Sequence, residues 1–406
     1  MSKKYDLVLW GATGFTGQLV AEYLLQTHGS QGPLRWAMAA RNADKLTRVQ
    51  RQLGAEDIPQ LIADSHDRPS LDTLAAQARV VISTVGPYAL HGSDLVAACV
   101  AQGTHYCDLT GEVQWMRRMI DQHHAEAQAK GVKIVHTCGF DSIPSDMGVF
   151  FMQQEAQKRL GQPLKRIHFR LKTGKGGFSG GTLASLNNVL AEGQKDPSVF
   201  QVLGDPYGLN PEGERQGPDG RDLDQATYDP VAGAYIAPFV MGSINTKVVR
   251  RSQALSGHPY GRDFQYDEAT LTGQGWTGQI AAHTMAWGMG LLQKAAPGTV
   301  MGNLMGLFMP KPGQGPSQST RESGYYLIDF FGETAQGEVH RVRVKGDRDP
   351  GYGSTSKMLA QSALCLAQDD LPDTYGVLTP SVAMGDALLK RLQEKAGLSF
   401  EWKGNS

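Results

Sequence analysis

For the first 160 residues, unbroken apolar runs alternate with segments of helical spacing. Leu7, Val8, Leu9 and Trp10 form one such run, the pattern of a strand buried on both faces. Leu19, Val20, Tyr23 and Leu24 then repeat at helical spacing up to Gly29, a natural helix stop. The same reading predicts strands over 34–42, over QLIAD to Asp64, over 80–88, over 104–112 and over VKIVHT. Helices are expected from Ser93, over 114–130, and from a cap at Ser145 or Asp146 to about Leu160. Strand alternating with helix predicts an α/β fold that begins with a doubly wound, Rossmann-type parallel sheet.

Beyond residue 160 the alternation stops. IHFRLKT, NTKVVRRSQAL and RDFQYDEATL read as strands, and YYLIDFFGET with EVHRVRVKGD as a hairpin. They predict a second, α+β domain built on a mostly antiparallel sheet. Residues 204–230 are rich in Gly, Pro and Asp without apolar period, so a lid or a disordered loop is expected. Residues 280–309 are rich in Met, Gly, Leu, Trp and Phe, yet too interrupted for a bilayer span. A membrane interface, an apolar tunnel and a buried helix all fit that stretch. Periodic stretches over 354–367 and 381–396 read as packing helices. The expected division is a cofactor domain over 1–146, a substrate and dimerisation domain over 147–353, and C-terminal helices over 354–406.

Chemistry enters at the turn after the first strand. Gly11, Gly14 and Gly17 stand at the spacing of a dinucleotide fingerprint, with Thr13, Phe15 and Thr16 between them. Gly11 permits the tight turn, Gly14 lets a pyrophosphate approach the backbone, and Gly17 lets helix and strand pack closely. The helix start then offers free N–H groups to phosphate. At the end of the second strand an acidic residue would favour NAD. The chain has Ala40, Arg41 and Asn42 there, followed by Lys45, which favours NADP through a 2′-phosphate. Asp64 ends the third strand, where the adenine ring commonly lies. Thr84, Val85, Gly86 and Pro87 form a tight turn at the sheet's carboxyl edge, where open α/β sheets bind ligands. Tyr88 follows this turn, as a proton donor or a packed aromatic. Asp108 and Glu112 lie at the same edge, as acid–base groups or as caps. Cys138, Gly139, Asp141 and Ser142 leave the sixth strand toward the same crevice. GKGGFSGGT, residues 174–182, is either a second anion site or a flexible turn.

Composition narrows the partners. The 406 residues carry 39 Lys plus Arg against 40 Asp plus Glu without a long basic run, so nucleic acid is not an expected partner. The cysteines Cys99, Cys107, Cys138 and Cys365 form no CxxC pair, so neither a disulfide framework nor a metal site is expected. With MSKKYD carrying no apolar leader, a cytoplasmic location is expected, peripheral to a membrane if 280–309 meets lipid.

GATGFTG, AARNADKL, STVGPY, DLTGE and CGFDSIPSD, in that order and spacing, resemble the saccharopine dehydrogenase-like oxidoreductases. Through SGGT, NTKVVRRSQAL, PKPGQGPS, LAQSALCLA and GVLTPSVAMGDALL the chain is most similar to their trans-acting enoyl reductase branch. The resemblance implies a Rossmann domain, a second α+β domain and NADP. It also implies reduction of carrier-bound acyl intermediates for synthases lacking a reductase domain. It attaches no catalytic set, so Tyr88, Asp141 and Ser142 are chosen from the loops, Tyr88 first. The alternatives are a C–N oxidoreductase acting on a saccharopine-like substrate, and a non-catalytic cofactor-binding module on lipid. The former would need clustered arginines, and Arg250 and Arg251 on a strand would point to opposite faces. A homodimer is also expected.

Overall fold

The computed structural model describes residues 3–175, 180–294 and 315–405, and the side chains of 180–184, 186–187 and 292–294 lie outside the description. The central part of GKGGFSGGT and residues 295–309 of the apolar stretch therefore lie outside it. Two seven-stranded sheets organise the chain. The first contains β1 (Tyr5–Trp10), β2 (Trp36–Ala40), β3 (Gln60–Ile62), β4 (Ala78–Ser83), β5 (His105–Asp108) and β6 (Lys133–Val135). The second contains β7 (Arg166–Lys175), β8 (Thr227–Asp229), β9 (Ala234–Pro238), β10 (Gln265–Gly273), β11 (Tyr325–Glu333) and β12 (Val339–Gly346). The closing stretch adds one strand to each. β13 (Gly376–Leu378) pairs with β6 in parallel, and β14 (Leu398–Asn405) pairs antiparallel with β12.

The first sheet is wholly parallel in the order β13-β6-β5-β4-β1-β2-β3. Its chain path runs outward from β1 in one direction and from β4 in the other. The reversal between those adjacent strands is a topological switch point, where a crevice opens at the carboxyl ends. The second sheet has the order β14-β12-β11-β7-β10-β9-β8 and is antiparallel except between β7 and β10. The helix Ile143–Leu160 joins the two sheets. Gly148 brings its backbone onto the Phe330 ring, where an added Cβ would lie 2.4 Å away. One apolar cluster runs from Leu7, Leu9 and Val20 through Met147 and Met152 to Phe169, Phe330 and Val342, so the two sheets share a core.

Three local expectations change. NTKVVRRSQAL is not a strand but most of the helix Gly242–Leu255. Its adjacent Val248 and Val249 suit a strand, but burial of nearly every side chain in the segment fits a helix packed all round. The helix ending at Leu160 begins at Ile143, so Ser145 and Asp146 lie in its first turn rather than capping it. Asp146 instead accepts from the Ser381 amide at 2.8 Å and the Ser252 hydroxyl at 2.5 Å. Residues 204–230 contain β8, and the stretch before it is anchored to the body. Asp219 accepts from Arg250 Nε at 2.6 Å, and the Arg250 guanidinium lies 5.5 Å from the Tyr207 ring centre.

Candidate functional site

The glycine turn fills the switch point with backbone. Gly11 has φ +89°, and a Cβ on it would lie 2.7 Å from Thr84 Oγ1 and from Val85 Cγ2. A Cβ on Gly17 would lie 2.2 Å from the Gly11 carbonyl oxygen. Gly14 is exposed and N-caps the helix Phe15–His28. The first backbone bond into that helix is from the Gln18 amide to the Gly14 carbonyl at 2.9 Å, so the amides of Phe15, Thr16 and Gly17 have no backbone acceptor among the described residues. Three free donors beside a side-chain-free floor fit a dinucleotide pyrophosphate. Thr13 uses its carbonyl to accept from Gln18 Nε2 at 3.1 Å. The Phe15 ring meets Tyr352 edge-on at 5.0 Å and is covered by the Arg321 guanidinium at 5.5 Å.

At the outer end of the crevice, Arg41 is exposed and its Nε lies 4.0 Å from Asp64 Oδ2. Asp64 thus steadies Arg41 while leaving most of its guanidinium fork free. Lys45 is exposed on the next helix, which Asn42 caps by accepting from the Lys45 amide at 2.8 Å. Arg41 and Lys45 together fit a phosphate on the ribose.

On the other side, Thr84 donates its amide and hydroxyl to the Trp10 carbonyl at 3.0 and 3.1 Å, binding the β4 exit to the β1 exit. The Gly86–Pro87 peptide is cis. Glu112 is buried and accepts from the amides of Tyr88 and Ala89 at 2.8 and 2.9 Å, and from the Ser185 hydroxyl at 2.8 Å. It therefore fixes the Pro87 turn. Tyr88 does not face the crevice. Its side chain is 4% exposed, its hydroxyl donates to the Ser83 carbonyl at 3.0 Å, and its ring stacks on Trp115 at 5.5 Å. The turn feeds directly into a short helix, Tyr88–His91, that folds the ring back under the sheet edge. Burial, with the charge of Asp108, pushes the phenol well above its ordinary pKa, so it holds its proton.

Asp108 is fully buried and organises the β6 exit. It accepts from Tyr106 Oη at 2.9 Å, the Thr110 amide at 3.1 Å, the Thr137 amide at 3.3 Å and His136 Nδ1 at 2.8 Å. These bonds hold Thr137 at φ +62°. That conformation is strained for a β-branched residue, by about 1–3 kcal/mol. Cys138 and Gly139 follow it beneath the surface; the Cys138 amide donates to the Asp108 carbonyl at 2.7 Å, and its side chain is buried. Ser142 is fully buried and donates to Asn245 Oδ1 at 2.9 Å.

Asp141, like Phe140 before it, remains partly exposed. It accepts no hydrogen bond from a described residue, and burial alone pushes its pKa up to about 7. Two apolar side chains lie near it. A Cβ placed on Gly111 would lie 3.1 Å from Ile244 Cδ1, 3.6 Å from Met241 Cε and 4.0 Å from Asp141 Oδ2. Ile244 and Met241 escape the sequence reading because their helix reads as a strand; Ile244, Val248 and Leu255 on one helical face are the available signal. Arg250 and Arg251 do not reach the crevice. Arg250 bonds Asp219, and Arg251 donates to the carbonyls of Leu209 and Val377 at 2.5 and 2.6 Å.

Residues 7–135 match the family model described as the saccharopine dehydrogenase NADP binding domain. Over 413 residues, 98% of this chain and 97% of the relative, the chain is 40% identical to a Mycobacterium tuberculosis protein provisionally named a trans-acting enoyl reductase. It is 36% identical over 411 residues to a trans-acting enoyl reductase of Mycobacterium ulcerans, covering 97% of this chain and 96% of that one. Among solved structures it matches saccharopine dehydrogenase (L-Glu forming) from Saccharomyces cerevisiae at TM-score 0.54 and 15% identity, over 99% of this chain and 100% of the other. That likeness is one of fold.

Proposed function

Because the chain belongs to the saccharopine dehydrogenase-like, NADP-dependent oxidoreductases, in the family of the trans-acting enoyl reductases, we propose that it reduces the carbon–carbon double bond of an enoyl thioester presented by a separate carrier. The observation that supports this reading is Asp141. A carboxyl half-protonated near pH 7, walled by Ile244 and Met241, suits proton delivery to an uncharged acyl substrate. The Gly11–Gly17 turn would hold NADPH with Arg41 and Lys45 at its 2′-phosphate, and the bound cofactor would supply the hydride. The chain's own part is to exclude water with Ile244 and Met241 and to hold a proton on Asp141 Oδ for the substrate's α-carbon. Reduction of a saccharopine-like imine fits less well. Its several carboxylates would need cations at the crevice, whereas Arg250 and Arg251 are buried and engaged elsewhere.

The test is NADPH consumption by the purified protein with trans-2-enoyl N-acetylcysteamine thioesters of increasing length. Turnover that improves with chain length is the expected result. No turnover with any of them, alongside turnover with an amino-acid-derived imine, would replace the reading.

Cofactor preference has its own test. Arg41→Ala removes a charge-assisted contact worth about 1.5–3 kcal/mol, so NADPH should bind about tenfold or more weakly. NADH binding should hold steady. Fluorescence titration of both cofactors decides it, and an equal loss for both would remove Arg41 from the 2′-phosphate.

The helix Gly275–Lys294 extends this reading to a lipid surface. Gly278 and Ala282 are buried against the body, while Trp276 and Trp287 are 73% and 69% exposed, with Ile280 and Met285 also exposed. No charged residue occurs from Gly275 to Gln293 except His283. No described helix is long and apolar enough to cross a membrane. The exposed tryptophans support a reading of peripheral contact with lipid. Flotation with anionic phospholipid vesicles should carry the wild type, and Trp276→Ser with Trp287→Ser should stay behind. Equal behaviour of the two proteins would end the idea.

A further inference from the structure

Asp141 accepts no hydrogen bond from a described residue, so among these its position depends on its loop. Two anchors hold the backbone before it: the Cys138 amide on the Asp108 carbonyl at 2.7 Å, and the Phe140 amide on Thr355 Oγ1 at 2.9 Å. The anchor after it is a buried side-chain chain. Ser142 Oγ donates to Asn245 Oδ1 at 2.9 Å, Asn245 Nδ2 donates to Glu268 Oε2 at 2.9 Å, and Tyr266 Oη donates to Glu268 Oε1 at 2.7 Å. All four residues are at least 96% buried.

We propose that Asn245 and Glu268 are positioning residues for Asp141, gripping its loop through the Ser142 side chain. The proposal deepens the functional reading above and rests on Asp141 as the proton donor. Its geometry has a direction. Tyr266 and Glu268 stand on β10, the interior of the second sheet, so the grip is referred to a rigid element. Asn245 is in the first turn of the helix Gly242–Leu255. The same turn carries Ile244, and Met241 precedes it; both have side-chain atoms beside Gly111, as Asp141 does. One helical turn therefore places apolar groups near the acid and also grips the acid's loop. The Asn245 amide bridges two side chains, with Oδ1 accepting from Ser142 while Nδ2 gives to Glu268. A fully satisfied buried network of this kind specifies one arrangement.

Three variants test it. Ser142→Ala and Asn245→Leu each cut the grip. Glu268→Gln keeps the shape and one carbonyl acceptor for Asn245, with its amide donating to the Tyr266 oxygen, and serves as the conservative rescue. The readouts are kcat with an enoyl thioester, NADPH affinity, and the Asp141 carboxyl midpoint from infrared difference titration against Asp141→Asn. Ser142→Ala and Asn245→Leu should each lower kcat by about tenfold to a hundredfold, as small misplacements of a reacting group do. NADPH affinity should stay within about twofold, because the anchors at Gly11–Gly17 are untouched. The midpoint should fall toward the ordinary carboxyl range as the loosened loop admits water. The double variant should do no worse than the poorer single one. Glu268→Gln should resemble the wild type.

An unmoved midpoint in Ser142→Ala and Asn245→Leu would overturn the proposal, as would a Glu268→Gln variant as damaged as Asn245→Leu. The two readings fail separately. A midpoint that falls in a protein that reduces no enoyl thioester keeps the positioning and removes the function. Normal enoyl turnover with an unmoved midpoint does the reverse.

Discussion

Asp141→Asn is expected to lower kcat for enoyl reduction by about 10²–10⁴-fold, the range of a lost general acid, and at the same time to raise the melting temperature. The two effects have one origin. Burial lifts the Asp141 pKa from an ordinary 3.8 to about 7. Between those values the folded protein binds a proton that the unfolded chain does not. Stability contributed at this site therefore falls as pH rises from about 4 to 7, and the full penalty stands above 7. At roughly 1.4 kcal/mol for each pH unit crossed in that window, the penalty is a few kcal/mol at most, reduced by whatever solvent reaches the carboxyl. An amide carries no such charge and escapes it. Activity runs in the same sense, since the protonated form delivers the proton. Turnover by the wild type should decline about tenfold per pH unit above 7, and the variant's residual activity should be flat across that window. Steady-state rates from pH 5 to 9 and calorimetric melts at pH 5 and 8 check both halves. A variant that keeps wild-type turnover would leave Asp141 as a buried carboxyl without a task. One that loses turnover while melting lower would make its role structural.

The cofactor half of the site was legible because its requirements are local. A strand, a glycine turn and a helix start occupy thirteen consecutive residues from Tyr5 to Gly17, and the spacing of the glycines follows from backbone contacts within that stretch. Arg41 could be read for a similar reason, as it stands at the end of a strand whose position in the sheet follows from its order. The acid–base half depends on what comes from elsewhere. Tyr88 and Asp141 both follow sheet-edge turns, and the sequence alone put Tyr88 first. What separates them is that Tyr88 enters a short helix with Trp115 behind it, whereas the Asp141 loop is faced by Met241 and Ile244 from a helix about a hundred residues later. No periodicity reports such a contact. Asp108 and Glu112 show the same limit. As carboxylates at a ligand-binding edge they fit acid–base work as well as capping. Glu112 in fact holds two amides of the Pro87 turn, and Asp108 gathers four donors at the β6 exit. Carboxylates so fully engaged set the shape of the loops, which is why we give the acid's role to Asp141.

The second sheet was readable from the strand-like sequences of β7, β10, β11 and β12, and buried and less buried positions alternate most regularly along β12. The helix Gly242–Leu255 was not, because a segment buried on nearly every side loses the amphipathic stripe that distinguishes helix from strand. β13 is similar: three residues in a turn-rich stretch join β6 only because the chain returns to the first sheet after visiting the second.

Gly17→Ala should abolish cofactor binding more completely than any charge removal at Arg41. The added Cβ would stand 2.2 Å from the Gly11 oxygen, 2.8 Å from its carbonyl carbon and 3.0 Å from Ala12 Cα. All three are backbone atoms of the turn, so no side chain can swing aside. The helix Phe15–His28 must move away from β1, carrying the free amides of Phe15, Thr16 and Gly17 out of their common floor. Overpacking of this kind costs about 1–3 kcal/mol in stability. Displacing several phosphate donors together should cost about 100-fold or more in NADPH affinity, equivalent to roughly 2.7 kcal/mol. NADH should be lost equally, because both cofactors share the pyrophosphate; that separates this variant from Arg41→Ala. Gly204→Ala is the matched control, since the methyl it adds would meet nothing within 4 Å. Cofactor fluorescence titrations and thermal melts of the three variants would decide it. Gly17→Ala protein that still binds NADPH like the wild type would show that the pyrophosphate lies elsewhere. Loss of NADPH alone, with NADH retained, would place the damage at the ribose phosphate rather than at the glycine turn.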